Sequence, residues 1–171
     1  MKLTLAELLP LKVTMLKQIQ EKIDERDNAA YVEFAKGDVE TLPDKSFDQL
    51  TRELKQVRED YRKIDYLIAK ANTDHIFKWE DGDLSIAEAI ELAKQLRGEA
   101  ILLKRFGVRK PMERIQAYHM QETIYRKALF DPGKLKERAM KLEKKANRLS
   151  MAIEKQNHQV EVEFYEADKY L

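Results

Sequence analysis

The chain has 171 residues, 37% of them charged, with only 5 glycines, 4 prolines and no cysteine. The composition favours long helices with solvated faces, and the missing thiols exclude disulfides and thiolate metal sites. The net charge of +1 is unevenly spread: residues 1–93 carry 14 Lys+Arg against 20 Asp+Glu, residues 94–155 carry 17 against 7, and residues 156–171 carry 1 against 4.

The opening Met1-Lys2-Leu3-Thr4 runs straight into an amphipathic pattern without a signal-like apolar stretch. Thr4 with Glu7 makes a capping box for a first helix over about Leu5–Arg26, striped by Leu5, Leu8, Leu9, Leu16, Ile19 and Ile23. Pro10 is expected to kink its first turns. Tyr31-Val32-Glu33-Phe34 alternates and reads as a strand, and Gly37–Lys45 as a polar loop. Ser46-Phe47-Asp48-Gln49 reads as a capping box for a second helix whose seam is Leu50, Leu54, Val57, Tyr61, Ile64, Ile68 and Ala71, at coiled-coil spacing. The alternating His75-Ile76-Phe77-Lys78-Trp79 and a turn at Asp81-Gly82 follow.

Ser85 and Glu88 repeat the capping box for a third helix, which places Ile86, Ala89, Ala93, Leu96, Ala100 and Leu103 on one face. Tyr118-His119-Met120 and Glu122-Thr123-Ile124-Tyr125 suit one strand or a bent pair. Asp131-Pro132 is a cap and first-turn pair for a fourth helix with the seam Leu135, Ala139, Leu142, Ala146, Leu149 and Ile153. Val160-Glu161-Val162-Glu163-Phe164 alternates once more.

The two halves look alike. Leu3-Thr4-Leu5-Ala6-Glu7-Leu8-Leu9 parallels Leu84-Ser85-Ile86-Ala87-Glu88-Ala89-Ile90, and Ile68–Asn72 parallels Ile153–Asn157. We read a single mainly α (α+β) domain over 1–171, built from two duplicated helical hairpins at about 3–79 and 84–164. Each half reads helix, short strand, longer helix, short strand. A lone two-stranded ribbon is marginal, so strands of both halves are expected to share one sheet at one end. A second apolar edge (Leu9, Met15, Leu67, Leu92) predicts a homo-oligomer.

The opening Leu3–Glu7 pattern, Asn72-Thr73, the Asp81-Gly82 turn before Ala87-Glu88-Ala89, and Ile153 with Asn157 resemble the septicolysin-like family of small bacterial proteins. The resemblance covers nearly the whole chain. It departs at His158, where the family tends to carry Trp, and in the third helix, which lacks an Arg-Asp pair. It implies a helical, oligomeric protein and brings no activity. A pore-forming label attached to the family finds no counterpart in a bilayer-spanning helix here.

Enzyme chemistry finds little footing. There is no nucleophile motif, no glycine-rich phosphate loop and no metal-ligand spacing among His75, His119 and His158, so no catalytic residue, metal or cofactor is expected. The basic region is more informative. Lys134, Arg138, Lys141, Lys145 and Arg148 recur along the fourth helix, and Arg105, Arg109, Lys110 and Arg114 surround the end of the third. Acidic and basic segments facing each other would also account for the runs. Aromatic and cationic residues near the strands suit a flat anionic ligand, with Trp79, Tyr125, Arg126, Arg109, Lys110, His75 and His158 as the candidate binding residues. Phe77 and Phe164 read as core.

The expectation is therefore a non-catalytic, homo-oligomeric binding protein for a small anionic, nucleotide-like ligand, in the cytoplasm and with no membrane partner. The alternative is an adaptor that recruits a helical partner through its seams. A pI near 7.8 speaks against nucleic acid as partner.

Overall fold

The computed structural model describes residues 1–80, 82–115 and 124–171. In chain order these form β1 (Lys2–Thr4), α1 (Leu5–Asn28), α2 (Phe47–Asp74), β2 (Ile76–Trp79), β3 (Gly82–Ser85), α3 (Ile86–Gly107), β4 (Met112–Ile115), β5 (Ile124–Lys127), α4 (Pro132–Asn157) and β6 (Glu161–Glu163), then a 3-10 turn at Ala167–Lys169. The fold is mainly α with a minor antiparallel β part, as expected. Strand, helix, helix, strand is the order in 2–79 and again in 82–163, where β4 and β5 intervene between the helices. The strands β1 and β3 ahead of the capping residues escape a periodicity reading because each is only three or four residues long. Asp81, Tyr118-His119-Met120 and Glu122-Thr123 lie outside the described residues.

The single sheet expected from the sequence is replaced, among the described residues, by three separate antiparallel ribbons: β1 with β6, β2 with β3, and β4 with β5. The chain divides into two compact units, residues 1–75 with 156–171, and residues 76–155. This boundary does not follow the sequence halves, because β6 from the end of the chain pairs with β1 at its start.

In the first unit α1 and α2 run antiparallel, tied by Lys12 to Asp65 and by Lys22 to Glu53 at 3.1 Å. The seam expected on α2 holds, every member being buried or half-buried. The stripe expected on α1 needs correction: Leu11 and Met15 are buried, while Leu9 and Leu16 are 42% and 52% exposed. At 3.6 residues per turn each lies about 100° round the helix from its buried neighbour, Leu8 or Met15. The same burial removes Met15 from the second apolar edge expected for self-association. The helix is unbroken through Pro10. Tyr31-Val32-Glu33-Phe34 is not a strand; no backbone group in it bonds another described residue, and a strand without a ladder partner has nothing to fix it.

Both ends of the chain close on this unit. Thr4 Oγ1 accepts from Glu7 N at 3.3 Å, and Glu7 Oε2 accepts from Thr4 N at 2.8 Å, the reciprocal box read from the sequence. The Thr4 N–H, and then the Thr4 hydroxyl donating to the same oxygen at 2.8 Å, hold the Glu7 carboxyl below the usual range. Phe164 N donates to Met1 O at 2.9 Å and Leu5 N to Val160 O at 3.0 Å, continuing the β1–β6 pairing. Phe164 is buried as expected. Tyr170 packs beside Asp60, which is fully buried on α2. Tyr170 OH donates to Asp60 Oδ2 at 2.8 Å, Lys169 Nζ to the same oxygen at 3.0 Å, and Gln56 Nε2 to Oδ1 at 3.0 Å. Burial pushes the Asp60 carboxyl up, but these three donors outweigh it and hold the group below its ordinary value. Burial, and then Asp60 itself, push the Tyr170 hydroxyl well above the phenol range.

In the second unit the β2–β3 ribbon pairs Trp79 with Gly82 and Phe77 with Leu84. Gly82 has φ +137°, a conformation side-chain-bearing residues rarely adopt. Ser85 and Glu88 cap α3 reciprocally at 3.2 and 2.8 Å, which lowers the Glu88 pKa. Lys104 Nζ meets Glu143 Oε1 at 2.5 Å and Arg97 donates to Ser150, so α3 and α4 run antiparallel. Asp131 caps α4, accepting from Gly133 N at 2.9 Å and Lys134 N at 3.2 Å.

Candidate functional site

The end of α3, the connection after it, the β4–β5 ribbon and the entry to α4 enclose a cleft of about 480 Å³. Phe106 from α3 and Phe130 before α4 meet edge to face, with ring centroids 5.4 Å apart and planes at 76°. Each ring stays partly exposed, which leaves apolar surface available to a flat ligand. Phe106 is placed by the last turn of α3. Gly107 then lets α4 come close: a Cβ there would lie 3.2 Å from the Lys136 backbone nitrogen.

Charge surrounds this aromatic pair. Arg109, Lys110, Arg126 and Lys127 line the cleft, and Glu113 is its one carboxylate among the described residues. The ribbon register sets Glu113 directly across from Arg126, and Arg126 Nε meets Glu113 Oε1 at 2.8 Å. The pairing orients the guanidinium and leaves its other nitrogens available to an anion. Arg109, Lys110 and Lys127 have no ion-pair partner among the described residues. Several cations around one carboxylate give a site of positive potential that suits a phosphate or carboxylate group.

Arg109, Lys110 and Arg126 are thus brought together from positions 17 residues apart in sequence at the extremes. The other candidates lie elsewhere. Tyr125 is on β5 across from Arg114, is 62% exposed and does not line the cleft. Trp79 is half-buried on β2, and its ring N–H is buried without a hydrogen-bond partner among the described residues. His75 ends α2, its backbone N–H donating to Ala71 O at 3.0 Å. His158 follows α4 and adds an electrostatic pull on Glu7. Phe106, Phe130 and Lys127 were missing from the sequence reading. The only sequence signal was that each phenylalanine immediately precedes a helix boundary, at Gly107 and at Asp131-Pro132.

Along α4 the basic row divides. Arg148 Nη2 meets Glu80 Oε1 at 2.7 Å and Lys145 Nζ lies 3.5 Å from the same carboxylate, so both serve the packing of their unit. Lys134, Arg138 and Lys141 face solvent. No group of three or more His, Asp or Glu among the described residues is arranged to hold a metal ion. Among the described residues no helix is long and apolar enough to cross a membrane.

No family model matches the chain, and no curated protein matches it by sequence. A solved structure of a functionally unknown conserved protein from Corynebacterium diphtheriae is similar in fold, with a TM-score of 0.65 and 18% identity, covering 95% of this chain and 100% of that one. At that identity the likeness concerns the fold.

Proposed function

We propose that the protein is a non-catalytic, homo-oligomeric binding protein that holds a small anionic, nucleotide-like ligand in the cleft beside the β4–β5 ribbon. The observation that carries this reading is the convergence of Arg109, Lys110, Arg126 and Lys127 on one partly exposed aromatic pair. The cations take the phosphate and the Phe106–Phe130 surface takes the base. Sequestration needs no catalytic group. A cytoplasmic setting and kinship with the septicolysin-like proteins belong to the same proposal.

Calorimetric titration of the full chain with mono-, di- and triphosphate nucleosides tests it. We expect binding that strengthens with phosphate number and weakens with salt, and an Arg126→Gln variant that loses about tenfold or more, the worth of one charge-assisted bond. Absence of binding by every nucleotide at millimolar concentration would refute the ligand assignment.

A second reading, an adaptor for a helical partner, is favoured by Leu9, Val13 and Leu16, which stay exposed on α1 at helical spacing. It predicts that replacing all three with Ser abolishes partner capture and leaves nucleotide titrations unchanged.

A further inference from the structure

Two features of the fold are complementary and each is unfinished within one chain. The β4–β5 ribbon is two-stranded, with no third strand among the described residues. One face carries Met112, Arg114, Tyr125 and Lys127, and the other carries Glu113, Ile115, Ile124 and Arg126. Ala128 N donates to Pro111 O at 2.8 Å, which continues the ladder between the strands and sets the backbone groups of Tyr125 and Lys127 pointing away from β4. Neither outer edge has a strand partner among the described residues, and on β5 the outward groups are those of the exposed Tyr125 and Lys127.

The second feature is Tyr31-Val32-Glu33-Phe34. It has the alternation and the aromatic and β-branched residues of a strand, yet none of its backbone groups bonds another described residue. Tyr31 is 88% and Phe34 54% exposed. It lies in the unit of residues 1–75 with 156–171, which carries 14 Lys+Arg against 19 Asp+Glu, a net −5. The ribbon lies in the unit of residues 76–155, with 18 against 12, a net +6. A chain with one acidic and one basic unit attracts another copy head to tail.

We propose that residues 31–34 of one copy add as a third, antiparallel strand to the open edge of β5 in the next copy. The occupant of the ribbon edge is thus a second copy of this chain, and the inference rests on the oligomeric part of the function proposed above. In this register Phe34 lies across from Ile124 and Tyr31 across from Lys127. The pleat then sets Val32 and Phe34 beside Ile124 and Arg126, and Tyr31 and Glu33 on the face of Tyr125, Lys127 and Arg114. The addition bonds the backbones of Tyr31 and Glu33 to those of Lys127 and Tyr125 and covers exposed aromatic surface. Because the two contacting surfaces differ, the association is heterologous and closes as a ring or continues as a filament.

Sedimentation velocity on the full chain is the test, with Glu33→Pro and Glu33→Lys as variants, since Glu33 lies across from the outward-pointing Tyr125 and no backbone bond joins its segment to another described residue. The expected result is a parent multimer that weakens with salt and variants that associate about tenfold or more weakly, the loss of a ladder bond or an ion pair. Variants that assemble with the parent's dissociation constant would overturn this interface and leave the oligomeric reading standing. A monomeric parent would overturn both. Because the chain has no cysteine, Phe34→Cys and Ile124→Cys proteins, mixed and oxidised, provide a second readout. Mixed disulfide dimers above the statistical share support the interface; a statistical mixture overturns it.

Discussion

Asp60 is a carboxylate placed at full burial on the α2 seam side, where helical spacing alone would put an apolar residue. It is tolerated because Gln56, Lys169 and Tyr170 donate to it. Asp60→Ala would leave the Tyr170 hydroxyl buried without its acceptor and should cost about 2–3 kcal/mol, read as a lower denaturation midpoint in urea. The folded carboxyl has a pKa below that of the unfolded chain, so the native state binds fewer protons on acidification. The stabilisation is therefore complete above the unfolded value of about 3.9 and is lost as pH falls through the folded one. Asp60→Asn should flatten this acid limb of the stability profile, whereas an unchanged limb would place the acid sensitivity elsewhere. Glu7 and Glu88 shift in the same direction, through bonds from the Thr4 and Ser85 backbones.

The helices owe their starts to side chains that were visible in the sequence. Thr4, Ser46, Ser85 and Asp131 all accept from the first-turn backbone, as read from hydroxyl and Asp spacing. The Ser46 cap is one-sided: Gln49 turns to Glu53 at 3.5 Å rather than back to the cap. Thr4→Ala and Ser85→Ala should each cost about 1 kcal/mol, measured by thermal unfolding, with Ser46→Ala no greater than either. At the other end of α3, Gly107→Ala meets the Lys136 backbone, which cannot yield as a flexible side-chain tip would. A loss of about 1 kcal/mol is expected and, under the ligand assignment proposed above, weaker nucleotide binding, because Phe106 is the adjacent residue. The strands behave differently. Three or four residues carry too little periodicity to announce β1 or β3, and Tyr31–Phe34 has the pattern without a ladder partner among the described residues.

In the molecule as a whole, the first unit is assembled from segments at opposite ends of the chain. β1 with β6 joins residues 2–4 to residues 161–163, and the Asp60 cluster joins α2 to the last three residues. Deleting residues 167–171 removes the Lys169 and Tyr170 donors together, leaving Asp60 with Gln56 and, at 3.7 Å, Lys63 of its own helix. Hydrogen exchange should then accelerate first in α2 and β1, before it does in α3; equal protection in all three would show that the tail contributes nothing to its unit.

Helix positions, their caps, the α2 seam and the basic character around Arg109, Lys110 and Arg126 were all legible in the sequence, because each depends on residues within a few turns of one another. Which face of α1 is buried, the fate of Tyr31–Phe34, the burial of Asp60 and the pairing of β1 with β6 were decided only in three dimensions. The same holds for the cleft: Phe106 and Phe130 meet because two helix ends are brought together, while Trp79, His75 and His158 are held elsewhere. Local patterns specify what a segment becomes; long-range packing and hydrogen-bond satisfaction select its partners.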